Sequence, residues 1–373
     1  MKKLLITAGT GIGTWCGVSE SISGLSKALN SSNIKTALVV AGKQGIYEKK
    51  SEIGEVYCLN YNTHNLKSIK KSSLIFKILN MILLIRCNFV FLYYLLKLRP
   101  SSIYVADISA IAWAIFPAKI LKIKLILAVR GEPQKGVLWR SGVKHSNLII
   151  ALSENLMKIL FDKYNEESVK FKTIVIPNAI NKPLFCKSLN KHQFDKEINI
   201  GYVGMFSDVK NQKEFISNIL PFVSTDMKVV NLWFFGDAKG EKNNVYFGAC
   251  ENLLKSIKGI NIKFFGFMDD VNYIYSNVDI IVLCSKTEGQ PRVILEAVSH
   301  NIPFISFDVP SVVDIAEKTK KGIVVYNRNN EDFCLKLNNL INDYNYFYNF
   351  SKSNDYIDKH YIDNIVNSYI EVI

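Results

Sequence analysis

Several features that would narrow the function of this chain are missing from it. Its seven cysteines (Cys16, Cys58, Cys87, Cys186, Cys250, Cys284 and Cys334) are odd in number and scattered, and they never form C-x-x-C. That argues against a disulfide framework or a zinc site and for small buried thiols in a reducing compartment. The five histidines (His64, His145, His192, His300 and His360) stand apart from one another, and no Asp-x-Asp triplet occurs. No metal site is therefore expected. The dinucleotide fingerprint G-x-G-x-x-G also fails: counted from Gly9 its last position is Thr14, and counted from Gly11 it is Cys16. The second predicted strand, Lys35 to Ala41, ends in Gly42-Lys43 with no acid for a ribose, so a dehydrogenase is a poor reading. Repeats and low-complexity segments are absent. Acidic residues are comparatively few: 33 Asp and Glu against 46 Lys and Arg give a formal net charge of +13. Such a balance favours an anionic partner, whether nucleic acid, anionic lipid or a phosphorylated substrate. No recognised nucleic-acid-binding motif accompanies the charge, so nucleic acid is not expected.

What is present describes a globular α/β protein. The chain has 373 residues, is 49% hydrophobic and 21% charged, and is long enough for two domains. Short apolar strands alternate with helices in both halves, the pattern of open parallel sheets. One stretch organises the rest. Asp279 to Cys284 reads as a buried parallel strand, Ser285 to Gln290 as a Gly-containing turn, and the segment from Pro291 as a helix burying Ile294, Leu295, Ala297 and Val298. Pro291 suits a first helical turn, where its missing N–H costs nothing. A helix start presents unpaired N–H groups and a partial positive charge, and so receives anions such as phosphate. Glu288 falls on the turn and Glu296 about one and a half helical turns beyond Pro291. Two carboxylates so placed can accept hydrogen bonds from two sets of hydroxyls while the amides between them hold a diphosphate.

Glu288-x7-Glu296, with Gly289 and Ala297 and followed by Asn301-Ile302-Pro303-Phe304-Ile305, resembles the signature of the retaining glycosyltransferases of glycosyltransferase family 4. The resemblance implies an α/β GT-B fold: two Rossmann-like parallel-sheet domains facing a central cleft. It further implies that Glu288 contacts the donor sugar, that Glu296 contacts the nucleotide ribose, and that Gly289, Arg292 and Val293 are donor contacts, with the diphosphate at the helix after Gly289. The expected organisation is residues 1–185 as an N-terminal, acceptor-side domain and residues 186–350 as the nucleotide-sugar-binding domain. Residues 351–373 are expected as a C-terminal helix packing back on the first domain. Lacking Asp-x-Asp, the chain has no sign of the metal clamp of the other large glycosyltransferase fold.

The N-terminal half fits the family more loosely. Leu4 to Thr7 reads as a first strand rather than as part of a signal peptide, because the apolar run stops at a Gly-rich turn. The family opens the next helix with a Gly-Gly pair facing the donor phosphates; here Cys16-Gly17 stands in that place, which makes Gly17 a candidate donor contact. His64 to Pro100 holds seven basic residues (Lys67, Lys70, Lys71, Lys77, Arg86, Lys97 and Arg99) and no acidic one. Within it, Leu74 to Leu98 is apolar and about long enough to cross a bilayer, which takes about 20 residues. Arg86 at its centre would cost about 2.5–3.5 kcal/mol on insertion scales. One or two helices, part core and part lying on an anionic membrane surface, is the preferred reading, with a core helix bearing a solvated basic face as the other. Ser102 to Ala106, Lys124 to Val129 and Asn147 to Ser153 read as strands, with a helix over Ile108 to Lys122. Arg130-Gly131-Glu132 ends the second of these strands, where open sheets place ligands. Arg130 replaces the His frequent in the family; it suits either a leaving diphosphate or an acceptor phosphate. A surface arginine paired with Glu132 is the plainer possibility. Thr173 to Asn181 reads as a strand stopped by Pro177, resembling the segment that closes the first domain, and Phe185 to Lys196 as a linker.

In the C-terminal half, Asn199 to Gly204 restarts the alternation. The family commonly follows this Gly with Arg and, about five positions on, Lys, both holding the diphosphate. Lys210 matches and Met205 does not, so half of the cationic clamp is missing; Arg130, Arg292 or Lys286 are the possible substitutes. Val229 to Phe235 and Asn261 to Phe265 read as strands, and Gly266-Phe267 falls where the family meets the nucleobase. Tyr356 to Ile373 reads as the amphipathic last helix. The expected activity is metal-independent, retaining transfer of a hexosyl unit from a nucleotide-diphosphate sugar, UDP- or GDP-linked, with no further cofactor. The expected acceptor is a saccharide, lipid-linked, in bacterial surface-polysaccharide synthesis, with the protein cytoplasmic and peripheral on the inner face of the cell membrane. Glu288, Lys210 and Arg130 are the catalytic candidates; Gly204, Phe267, Gly289, Arg292, Val293 and Glu296 join Gly17 as donor contacts. A sugar-nucleotide epimerase on the same scaffold is the enzymatic rival, with Glu132 as its candidate acid/base. A donor-binding subunit without activity is the non-catalytic one.

Overall fold

The computed structural model describes residues 2–9, 17–42, 54–61, 73–164, 167–184, 196–224, 228–238, 240–343 and 355–373. The chain divides into two units: Met1–Ala179 with Ile362–Ile373, and Ile180–Tyr361. The expected boundary at 185/186 and the linker after Phe185 lie outside the described residues.

The first unit holds a seven-stranded parallel sheet with the order β3-β2-β1-β4-β5-β6-β7. Its strands are β1 (Lys3–Ala8), β2 (Lys35–Val40), β3 (Glu55–Cys58), β4 (Ser102–Val105), β5 (Lys124–Val129), β6 (Leu148–Ala151) and β7 (Thr173–Val175). Its helices before the second unit are α1 (Gly17–Ser31), α2 (Leu74–Leu98), α3 (Ile111–Ile120), α4 (Val137–His145), α5 (Glu154–Lys163) and α6 (Glu167–Phe171). The near-continuous apolar strands are buried on both faces, as parallel strands must be. Cys87, Phe91 and Leu95 of α2 and Trp113 of α3 join one face of the core, and α1 with the terminal helix Ile362–Val372 covers the other through Ile22, Leu25, Ile365 and Tyr369. Gly9, at the end of β1, is the residue its place demands: a Cβ there would collide with Ser109 Oγ and Asp107 Oδ1.

The second unit holds a six-stranded parallel sheet with the order β10-β9-β8-β11-β12-β13. The strands are β8 (Glu197–Val203), β9 (Val229–Phe235), β10 (Ile260–Gly266), β11 (Ile280–Leu283), β12 (Phe304–Phe307) and β13 (Gly322–Val325). The helices are α7 (Gln212–Glu214), which runs into a π-helical turn at Phe215–Ile219, α8 (Glu241–Leu254), α9 (Val271–Asn277), α10 (Arg292–Ser299), α11 (Pro310–Thr319), α12 (Asn330–Asn342) and a short helix at Asp355–Asp358. Strand order reverses between β8 and β11, which pair directly, Ile280 with Ile200 and Ile281 with Gly201. This is the switch point at which open α/β sheets bind ligands beyond the strand carboxyl ends.

Several elements are shorter than the sequence suggests. The strand read over Thr173 to Asn181 stops at Val175, since Pro177 has no N–H to continue a ladder. The helix read from Ile108 begins as a 3-10 turn capped by Asp107, whose carboxylate accepts from Ser109 N at 2.7 Å. The last helix is two: Asp355–Asp358 belongs to the second unit and Ile362–Val372 to the first. Between them Tyr361 forms an isolated bridge with Ile180, and Ile180 N donates to His360 O at 2.9 Å.

The apolar stretch Leu74 to Leu98 is one helix of 25 residues, capped by Ser73 and closed by Arg99 in the left-handed conformation. Leu74, Ile78, Met81, Ile82, Ile85, Phe89, Tyr93 and Leu96 are exposed on it. At 3.6 residues per turn they share one arc of about 120°, running about 33 Å along the helix. Exposed Lys77 falls on one flank of that arc, and Arg86 and Lys97 on the other.

Candidate functional site

In the second unit the carboxyl ends of three adjacent strands are finished alike. Gly204 after β8, Gly236 after β9 and Gly266 closing β10 all have positive φ, at 148°, 152° and 68°. Gly236 shows why: a Cβ there would overlap the carbonyl of Gly204, and its N–H donates to Gly266 O at 2.7 Å. The backbone at this edge is thus drawn tight, and the loops that follow converge on the switch point. In one of them Asp237 Oδ1 accepts from Phe267 N at 2.8 Å, leaving the Phe267 ring half exposed.

Lys210 is carried by the loop after Gly204. Its carbonyl accepts from the buried Tyr202 hydroxyl at 2.6 Å, and its side-chain carbons lie 3.6 Å from where a Cβ on Gly204 would be. The ammonium meets Glu288 Oε1 at 2.6 Å, with the two side chains 26% and 13% exposed. Lys210 and Glu288 are 78 residues apart in sequence, so only the β8–β11 pairing makes this contact.

The second pair lies on α10. Arg292 Nη2 meets Glu296 Oε1 at 3.0 Å, an i,i+4 pair largely withdrawn from solvent. The other carboxylate oxygen, Oε2, accepts from the Tyr275 hydroxyl at 3.2 Å, and that hydroxyl also lies 3.0 Å from Val293 O. Pro291 precedes the helix as its N-cap instead of opening its first turn, and no side chain caps the start. The first N–H groups of α10 are therefore not taken by a capping side chain, the arrangement that receives an anion. Gly289 and Gln290 are buried in the turn. Gln290 Nε2 stands 3.3 Å from His360 Nε2, while His360 Nδ1 donates to Tyr356 O at 2.8 Å. Burial lowers the His360 pKa, so the ring stays neutral and its Nε2 accepts.

Met205, where the family has Arg, has its sulfur 3.5 Å from Asn243 Nδ2 and its carbonyl bonded to Gln212. Of the possible substitutes, Lys286 is exposed and paired with Asp208 at 2.9 Å, and Arg292 is engaged with Glu296. Arg130 belongs to the first unit, as does Gly17, which opens α1. The Arg130 guanidinium reaches Tyr104 Oη at 3.2 Å and Asn178 Oδ1 at 3.5 Å. Glu132 pairs with Lys163 instead, at 3.7 Å.

Sequence reading overlooked the support beneath the turn. Arg328 donates to Ser285 O and Cys284 O, both at 3.2 Å, pairs with Glu214 at 2.7 Å, and lies over the Phe307 ring at 4.3 Å. Asn211 bonds both Glu214 and Cys284 O. Burial alone would raise the Glu214 pKa, but hydrogen bonds from Arg328 and Asn211 outweigh it and hold the carboxyl below its usual range. No local signal announced this cluster, because its members come from three separate elements. Among the described residues no three His, Cys, Asp or Glu side chains gather as a metal site.

Two parallel α/β sheets, each reversing order at its centre, with charged pairs at the carboxyl edge of one, define the GT-B class of fold. Residues 197–343 match the family model described as glycosyl transferases group 1. Over 114 residues the chain is 30% identical to an uncharacterized glycosyltransferase of Haemophilus influenzae, a match covering 30% of this chain and 31% of the relative. It is 27% identical over 185 residues to protein CapJ of Staphylococcus aureus, covering 48% of this chain and 44% of CapJ. The chain thus spans less than half the length of these curated relatives. Among solved structures, HepE of Anabaena, in complex with UDP and glucose, superposes with a TM-score of 0.77 at 15% identity, covering 100% of this chain and 99% of HepE. Sucrose-phosphate synthase of Thermosynechococcus elongatus gives 0.77 at 14% identity over 100% and 98%. The lipopolysaccharide outer core galactosyltransferase WaaB gives 0.66 at 16% identity over 99% and 98%.

Proposed function

We propose that the protein is a retaining glycosyltransferase that moves a hexosyl unit from a nucleotide-diphosphate sugar to a saccharide acceptor, without a metal or further cofactor. The observation that carries this reading is the pair of ion pairs at the switch-point edge, Lys210–Glu288 and Arg292–Glu296, on either side of a helix start that no side chain caps. In this reading the diphosphate rests on the first amides of α10, beside Gly289 and Val293. Glu288 orients the sugar and Glu296 takes the ribose hydroxyls. Phe267 and the loop after Gly266 meet the base. Lys210 stabilises charge growing on the departing diphosphate, a preorganised electrostatic role. The acceptor hydroxyl attacks from the face the leaving group vacates and passes its proton to a donor phosphate oxygen. In this reading Gly17 serves the donor phosphates, and Arg130, at the end of β5, serves the reacting groups on the acceptor side. UDP in complex with HepE supports a uridine donor, and GDP is the alternative.

The acceptor is assigned as lipid-linked, in bacterial surface-polysaccharide synthesis, and the protein as peripheral on the inner face of the cell membrane. The apolar arc of α2, flanked by Lys77 on one side and by Arg86 and Lys97 on the other, supports an in-plane contact with anionic lipid. The opposite face of the same helix is committed to the protein core through Cys87, Phe91, Leu95 and Leu98, which leaves lipid one side to meet. Flotation with anionic vesicles at low salt should retain the protein, and Ile85→Asp with Phe89→Asp should release it. Equal retention of this variant would remove the membrane assignment.

A thermal-shift panel of UDP- and GDP-sugars tests the donor reading, since a ligand bound only by the native state raises its melting temperature. The matching donor should then transfer its sugar to a lipid extract. No shift with any donor would sink the reading. A change in the sugar with donor alone would make the protein an epimerase, and full affinity without transfer a binding subunit.

A further inference from the structure

The turn that carries Glu288 begins where the sheet stops supporting it. The ladder between β11 and β12 ends at Leu283, so the carbonyls of buried Cys284 and Ser285 lie past it and need other donors. Arg328 supplies them. Its Nη2 donates to Cys284 O and its Nη1 to Ser285 O, each at 3.2 Å, and Nη2 also meets Glu214 Oε2 at 2.7 Å. A guanidinium carries five N–H donors, so the three bonds do not compete. Asn211 makes a parallel link, its side-chain amide donating to Glu214 Oε2 and to Cys284 O. Asn330 adds a further hydrogen bond to Glu214. Arg328 is placed for this by unusual backbone: it and Asn327 have φ of 49° and 58°, in the left-handed region that residues other than glycine seldom enter. Such a conformation persists only where its surroundings hold it, and here Asn327 N donates to Asp308 Oδ2 at 3.1 Å.

These links bracket both members of the Lys210–Glu288 pair. On one side of Lys210, Val209 O accepts from Lys286 N at 2.8 Å. On the other, Asn211 is bonded to Cys284 O and to the Glu214 carboxylate that Arg328 holds. Glu288 projects from the turn two residues beyond Lys286. The loop of Lys210 and the turn of Glu288 therefore share one anchor. We infer that Arg328 is a positioning residue that, through Glu214 and the two carbonyls, keeps the Lys210 ammonium aligned with Glu288 for the transfer step. An ammonium already in place needs no reorganisation as charge develops on the leaving group; one that wanders must be brought back at each turnover. The inference rests on the reading that gives Lys210 the departing diphosphate and Glu288 the sugar.

Arg328→Met, made in the full chain, keeps a long stem over Phe307 and removes every donor. Calorimetric titration with UDP or GDP counts the molecules able to bind nucleotide, and sugar transfer to a lipid extract at saturating donor is then expressed per binding site. The expected result is a rate per site lowered about tenfold, the scale of a small misplacement of a catalytic group. In a Lys210→Ala background the same substitution should cost less than about threefold, because the pair it aligns is already broken. Asn211→Gly, which keeps the positive φ of 62° and loses the amide, should repeat the pattern if Arg328→Met does not fold. A merely structural Arg328 would lower the melting temperature and the number of binding sites but leave the rate per site unchanged, and that result would overturn the inference. A larger loss than stated in the Lys210→Ala background would overturn it too, since Arg328 would then act elsewhere. If Lys210→Ala alone transfers at the wild-type rate, or no nucleotide binds, the assignment of Lys210 falls and takes the inference with it.

Discussion

The two sheets reverse their strand order in the same way, β1 beside β4 in one and β8 beside β11 in the other, yet their carboxyl edges differ in chemistry. At the six-stranded edge, two cation–glutamate pairs flank a single turn, and Arg328, Glu214 and Asn211 brace that turn from beneath. At the seven-stranded edge, Arg130 is engaged with Tyr104 and Asn178, and Tyr104 Oη in turn lies 3.3 Å from Tyr369 Oη of the terminal helix. One edge gathers two cation–carboxylate pairs at fixed spacing around one turn. The other holds one arginine at a strand end and ties it to the terminal helix. This is the division expected if one half of the protein grips a constant donor and the other a variable acceptor.

Lys210→Ala is the variant expected to disturb that division most. Removing a preorganised cation from a developing charge costs about 10²–10³ in rate. Sugar transfer at saturating donor should fall by that much, and a loss under tenfold would move the stabilising role elsewhere. Glu288→Gln comes next. It leaves the Lys210 ammonium without its carboxylate, and donor use should drop about tenfold or more, the cost of breaking a charge-assisted bond in a partly buried site. Transfer assays at varied donor concentration read this directly.

Arg130→Ala probes the other edge. Its expected cost is about tenfold in kcat/KM for the acceptor, one charge-assisted contact, with nucleotide affinity unchanged. A raised donor Kd would erase the contrast between the two edges. Glu214→Gln has the smallest expected effect, about 1 kcal/mol of stability at neutral pH. The folded-state pKa of Glu214 is depressed, so its contribution is fully present above its ordinary value of 4.5 and is lost as pH falls through the lower folded value. Melting curves of wild type and variant should therefore differ at pH 7 and converge only once pH falls below that depressed folded value. A gap that persists in acid would assign the effect to packing.

Much of the fold was legible from local pattern. β5 and β9 occupy the spans that apolar runs and breakers suggest, because strand burial is a short-range matter. Glu288, Gly289, Pro291 and Glu296 likewise declared themselves by spacing along one turn and helix. Legibility failed where a contact crosses the sheet. Nothing near Tyr275 in sequence says that its hydroxyl meets a residue 21 positions on, and Arg328 reaches Glu214 across 114. The single helix read over Tyr356 to Ile373 failed for a related reason. Tyr361 leaves helical geometry to bridge Ile180, a partner that periodicity cannot reveal.

The sequence by itself determined that two parallel α/β sheets form, where the strand–turn–helix bearing Glu288 and Glu296 lies, and that α2 is apolar with basic residues and no acidic ones. These follow from residue type and period alone. Only the tertiary structure decided which carboxylate each cation meets, which face of α2 stays exposed, and that a buried tyrosine holds Glu296. Those outcomes depend on strand order: β8 and β11 become neighbours although some eighty residues separate them, and side-chain chemistry at their ends is set by that adjacency.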